Sequence, residues 1–62
     1  MDKRSEMLLE VTAILRRLGG NVLDTEDLRV LDYLETQPES VIQAQLETLK
    51  LMLESYDAER AS

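Results

Sequence analysis

Two interruptions constrain this chain more than any other feature: the run Gly19-Gly20-Asn21 and the single proline, Pro38. Between and beyond them, apolar residues recur three and four positions apart, the period of an α-helix. The sequence therefore predicts an all-α fold with three helices, over about residues 3–18, 25–35 and 38–58. Glycine and asparagine tolerate left-handed backbone angles, so Gly19-Gly20-Asn21 reads as a helix stop with a glycine at the C′ position of a Schellman-type cap. Proline disfavours helical geometry at the residue before it and is tolerated in the first turn of a new helix. Thr36 or Gln37 is then expected to cap the third helix, with Ser40 as a later start. The competing architecture is a helical hairpin whose second arm runs on and is kinked at Pro38.

The first segment places Met7, Leu8, Val11, Ile14, Leu15 and Leu18 on one stripe and Glu6, Glu10, Arg16 and Arg17 away from it. Arg16 and Arg17 fall in the last turn, where cations suit the negative end of the helix dipole. Leu9 lies on the outer side, either as a singly exposed leucine or as a contact with another chain. In the second segment Asp24 is a good N-cap, Asp27 sits at N3 in an approximate capping box, and Leu23 can staple to Leu28. This helix is expected to bury Val30, Leu31 and Leu34, with Leu28 at its entry and Tyr33 at the edge as a candidate interface anchor.

The third segment carries two lines. Ile42, Leu46, Leu49, Leu53 and Tyr56, flanked by Val41 and Met52, join Val11, Leu15 and Leu18 as the candidate core or dimer seam. On the opposite side Ala44, Thr48, Leu51, Ser55 and Ala58 repeat at the same spacing. With Leu9 and Tyr33 they form the candidate interface. Glu47 and Lys50 are expected to pair within the helix. Residues 59–62 are expected to fray, and the whole of 1–62 forms a single small helical domain.

A chain of 62 residues buries a modest fraction of its surface, and many of that size rely on disulfides, metals or a partner chain. With no Cys and no His the first two are not expected, so the compact helical bundle is expected to be completed by dimerisation. The rear line cannot hold a stable dimer alone. Burying Leu51 contributes about 2 kcal/mol and each small residue under about 1. Doubled by symmetry, that is roughly 6 kcal/mol against an association cost of about 4–15 kcal/mol.

Charge narrows the function classes. Thirteen acidic residues oppose seven basic ones, for a net charge of −6. Residues 1–18 carry +1, residues 19–38 carry −4 and residues 39–62 carry −3. Such a chain repels phosphate backbones except at a local basic surface, which Arg16 and Arg17, with Lys3 and Arg4, would have to supply. If the second and third helices are treated as a helix-turn-helix, the reading helix opens on Glu39, Ser40, Gln43 and Gln45. No cation precedes Lys50 to hold a backbone.

No catalytic residue, cofactor or metal site is expected. Gly19-Gly20 follows a helix and lacks the spacing and lysine of a phosphate-binding loop. Asp24, Glu26 and Asp27 lack calcium-loop spacing and are accounted for as cap and dipole partners. Glu6 and Glu10 share a face but lack the histidines of a helical di-metal site. Ser5, Ser40, Ser55 and Ser62 have no histidine to activate them, and Lys3 and Lys50 have no apolar pocket.

These observations point to a non-catalytic helical protein–protein interaction module, a regulator or adaptor acting as a homodimer on a protein partner. The alternative is an acidic mimic of nucleic acid that inhibits a basic or nucleic-acid-binding target. A weaker one is a small helical nucleic-acid-binding dimer. The apolar run Met7-Leu8-Leu9 ends at Glu10, too short for a signal or a membrane span, and cysteine-free composition suits a reducing compartment. A cytoplasmic location without membrane contact is therefore expected.

Overall fold

A computed structural model of the chain describes residues 2–61. They form three helices: α1 (Lys3–Leu18), α2 (Thr25–Glu35) and α3 (Glu39–Ala61). Four contacts fix their directions. Arg4, at the start of α1, donates to the carbonyls of Leu34 and Glu35 at the end of α2. A Cβ on Gly19, at the end of α1, would lie 3.8 Å from Asp27 Oδ2 at the start of α2. These two helices are antiparallel. Glu10 pairs with Lys50 and Arg17 with Asp57, both across 40 positions, so α1 and α3 run in the same direction. The bundle is up-down-up, 37 × 22 × 19 Å, with α1 packed most extensively on α3.

Each helix begins and ends for a local reason. Asp2 opens α1 by accepting a hydrogen bond from the Ser5 N–H at 2.7 Å. At its other end the Gly20 N–H donates to the Arg17 carbonyl (3.4 Å) and the Asn21 N–H to that of Arg16 (2.7 Å). That is the Schellman pattern, with Gly20 at C′ and φ of 71°. Gly19 is needed for a different reason: its φ is an ordinary −92°, but a Cβ there would stand 2.6 Å from the Val22 carbonyl oxygen. The capping box of α2 is complete. Asp24 Oδ1 accepts from the Asp27 N–H (2.9 Å), and Asp27 Oδ2 accepts from the Asp24 N–H (3.2 Å).

The joint at Pro38 separates two helices, so the kinked hairpin does not form. Thr36 closes α2 instead of capping α3: its N–H and hydroxyl both donate to the Tyr33 carbonyl, at 3.1 and 2.7 Å. Gln37 N–H returns to the Leu34 carbonyl at 3.1 Å, using up the donors before Pro38. The Pro38 carbonyl then accepts from Val41 and Ile42 and starts α3. That helix continues three residues past its expected end, through Ala61. Glu59 to Ala61 are helical, and Ser62 lies outside the described residues.

The core consists of Met7, Val11, Ile14, Leu15, Leu34, Ile42, Leu46 and Leu49, and no polar or charged side chain is buried among the described residues. Leu8, Leu18, Leu23, Val30, Leu31, Val41 and Leu53 pack partly buried around it. Three sequence expectations need correction. Leu28 is 51% exposed, because it lies about 120° round α2 from Leu34. Met52, on the rim of the α3 stripe, is 53% exposed. Lys50 pairs with Glu10 of α1 at 3.5 Å, where an intrahelical pair with Glu47 was expected.

Three outcomes follow for urea unfolding. Ile42→Ala should cost about 2–5 kcal/mol, since it empties a fully enclosed site. Leu28→Ala should stay within about 0.5 kcal/mol of wild type. Gly20→Ala should cost about 1–2 kcal/mol by forcing a Cβ into the left-handed region.

Candidate interaction surfaces

Three surfaces remain once the core is closed. The first is the outer line of α3. Ala44, Thr48, Leu51, Ser55 and Ala58 are all exposed, with Leu51 66% exposed and outward-facing. The Thr48 hydroxyl donates to the Ala44 carbonyl at 3.1 Å, so the line presents methyl groups with the hydroxyl turned to its own helix.

The second surface lies between α1 and α2, where Ser5, Leu8, Leu9, Thr12, Leu31 and Glu35 line a groove of about 480 Å³. Leu9, more than half exposed, is therefore part of an apolar groove and not an isolated leucine. Thr12 adds to its apolar character by donating its hydroxyl to the Leu8 carbonyl at 2.8 Å. Tyr33 is exposed but lines none of these depressions.

The third surface is a basic depression of about 690 Å³, lined by Ala13, Arg16, Arg17, Gly20, Asn21, Tyr56 and Arg60. Arg17 Nε and Nη2 both donate to Asp57 Oδ1, at 3.2 and 2.8 Å. That hydrogen bond, with the charge of Asp57, raises the Arg17 pKa. Arg60 donates to the Tyr56 hydroxyl at 2.8 Å, and its guanidinium lies over the Tyr56 ring, 5.5 Å from the centroid. Tyr56 is half-buried here and sits at the wall of the depression, at the end of the seam it was expected to join.

The four N-terminal and late cations of α1 do not meet. Lys3 lines a separate depression with Met7, Glu39, Ser40 and Gln43 at the far end of the bundle, and Arg4 is turned to the end of α2. The residue that does join Arg16 and Arg17 is Arg60, which sequence reasoning had left in a frayed tail. Its spacing was the available signal: Arg60 stands four residues after Tyr56, on the same helix face.

Several carboxylates serve the fold. Asp24 and Asp27 cap α2, Glu10 and Asp57 pair with cations, and no three His, Cys, Asp or Glu among the described residues converge as a metal site. No described helix is long and apolar enough to cross a membrane. No protein-family model, curated protein or solved structure matches this chain.

The Asp2 cap predicts a pH dependence. The Ser5 backbone N–H it accepts, then the Ser5 hydroxyl and the Arg4 charge, hold its carboxyl below the ordinary aspartate value. A depressed carboxyl contributes stability above its unfolded value and loses it as pH falls through the folded one. The Ser5 amide resonance should therefore titrate with a midpoint below that of a free aspartate, and Asp2→Asn should abolish that titration.

Proposed function

We propose that this chain is a small non-catalytic helical module that works by binding another protein chain, as a regulator or adaptor, and that a second copy of itself is one such partner. The observation that carries the reading is the contrast between a small buried aliphatic core and six large apolar side chains left more than half exposed: Leu9, Val22, Leu28, Tyr33, Leu51 and Met52. Single exposed leucines are ordinary. Leu51 and Met52, however, are adjacent on α3, and Leu9 opens onto a groove.

Energetics set the strength of self-association. Adding Met52 to the outer line of α3 raises the gross gain to about 9 kcal/mol for a two-fold contact. That falls within the association cost of about 4–15 kcal/mol, so pairing through this face depends on concentration. Sedimentation equilibrium should show a reversible monomer–dimer distribution that Leu51→Glu shifts to monomer with helical content unchanged. A single monomeric species at every concentration, indifferent to Leu51→Glu, would remove self-assembly from the proposal.

A further inference from the structure

The basic depression is not used by the apolar contacts above, and it is out of character for the molecule. Three of the seven basic residues of a chain with net charge −6 line one hollow. Their states differ in a way that matters. Arg17 is neutralised by Asp57. Arg60 is held in place by a neutral group, the Tyr56 hydroxyl, and by the ring beneath it. The Arg16 side chain is exposed and makes no hydrogen bond or ion pair among the described residues. Two of the other lining residues are small: Ala13 has one methyl group, and Gly20 has open space where a Cβ would be.

We infer that this depression is a recognition site for carboxylate side chains on an acidic segment of a protein partner, with Arg16 as the free clamp and Arg60 as the pre-oriented one. A guanidinium presents its donors as a planar fork that matches a carboxylate, and two forks lining one hollow can bracket one. Holding Arg60 over Tyr56 reduces the side-chain freedom lost on binding. The backbone adds nothing. The N–H groups of Gly19, Gly20 and Asn21 already serve the carbonyls of Leu15, Arg17 and Arg16, so recognition rests on side chains.

Local charge outweighs the global balance at this distance. The screening length at physiological ionic strength is about 8 Å, so a ligand in the hollow feels its arginines more than acidic residues well beyond that distance. A long polyanion is in a different position. Beyond the hollow its phosphates would run over a surface that is net acidic, and affinity for nucleic acid grows with the number of phosphates neutralised. Acidic peptide is thus favoured over nucleic acid. This inference is independent of the apolar faces: it depends on Arg16 and Arg60, while self-association depends on Leu51.

The test is a two-dimensional amide NMR titration of the full chain at low salt. The probes are a terminally capped oligo-glutamate peptide, its oligo-glutamine counterpart, inorganic phosphate and a short single-stranded oligonucleotide. Oligo-glutamate should move the Arg16, Gly20, Asn21 and Arg60 amides together, saturably and with affinity falling as salt rises, while oligo-glutamine leaves them still. Arg16→Gln/Arg60→Gln should weaken that binding by about tenfold or more, with the circular dichroism spectrum unchanged. Arg16→Lys should recover part of the loss if charge dominates and little if the fork matters, and either result supports a cationic clamp. Shifts scattered over the surface, an undiminished response in the double glutamine variant, or tighter saturation by phosphate or the oligonucleotide would overturn the assignment.

Discussion

The molecule depends on one apolar core shared by its three helices. Val11 from α1, Leu34 from α2 and Ile42 from α3 are each almost completely enclosed in it, and each is the best-buried residue of its helix. A core without Phe, Trp or any buried polar group has no directional bond to define its arrangement. Geometry comes from the close packing of branched aliphatic shapes, and from the caps that decide where each helix begins. An α2 of 11 residues is marginal alone. It is a helix here because Leu34 is buried in the shared core, its N-terminus carries a reciprocal cap, and its C-terminus is met by Arg4.

The role of Arg4 shows how the fold shares its electrostatics between elements. The last turn of α2 contains no basic residue of its own, so its carbonyls and the negative end of its dipole lack a local partner. An arginine some thirty positions earlier in sequence fills that place. The two α1–α3 ion pairs act the same way along the parallel seam. Both are about half exposed, so their value is in fixing register, with small gains in stability.

The features legible in the sequence are those with local causes. The Gly-Gly stop, the Asp24–Asp27 box, the break at Pro38 and the spacing of Ile42, Leu46 and Leu49 each follow from residues within one turn of one another. What could not be read is long-range. Nothing near Lys50 indicates Glu10, nothing near Arg4 indicates the end of α2, and Leu28 and Met52 are apolar residues whose exposure depends on how wide the neighbouring helices are. The same holds for the surfaces. The outer line of α3 was visible from periodicity, whereas the basic depression is assembled from the ends of two helices and could be seen only when both ends were placed side by side.

That placement follows from topology. Because α1 and α3 are parallel, their C-termini end at the same face of the bundle, and both dipoles turn their negative ends there. Cations in a last turn are favoured at either end by about 0.3–1 kcal/mol, which is reason enough for Arg16, Arg17 and Arg60 to occur where they do. An antiparallel pair would have put those cations at opposite ends of the molecule. The dipole accounts for the presence of the arginines but not for the hollow between them. That space comes from the small Ala13 and Gly20 in its lining and from Tyr56 holding Arg60 aside. A surface arginine that only satisfied a helix end would lie along its own carbonyls, whereas the Arg16 guanidinium has no hydrogen-bond partner among the described residues. The bundle therefore carries, at the end where its helices need positive charge, more donors than its own structure consumes.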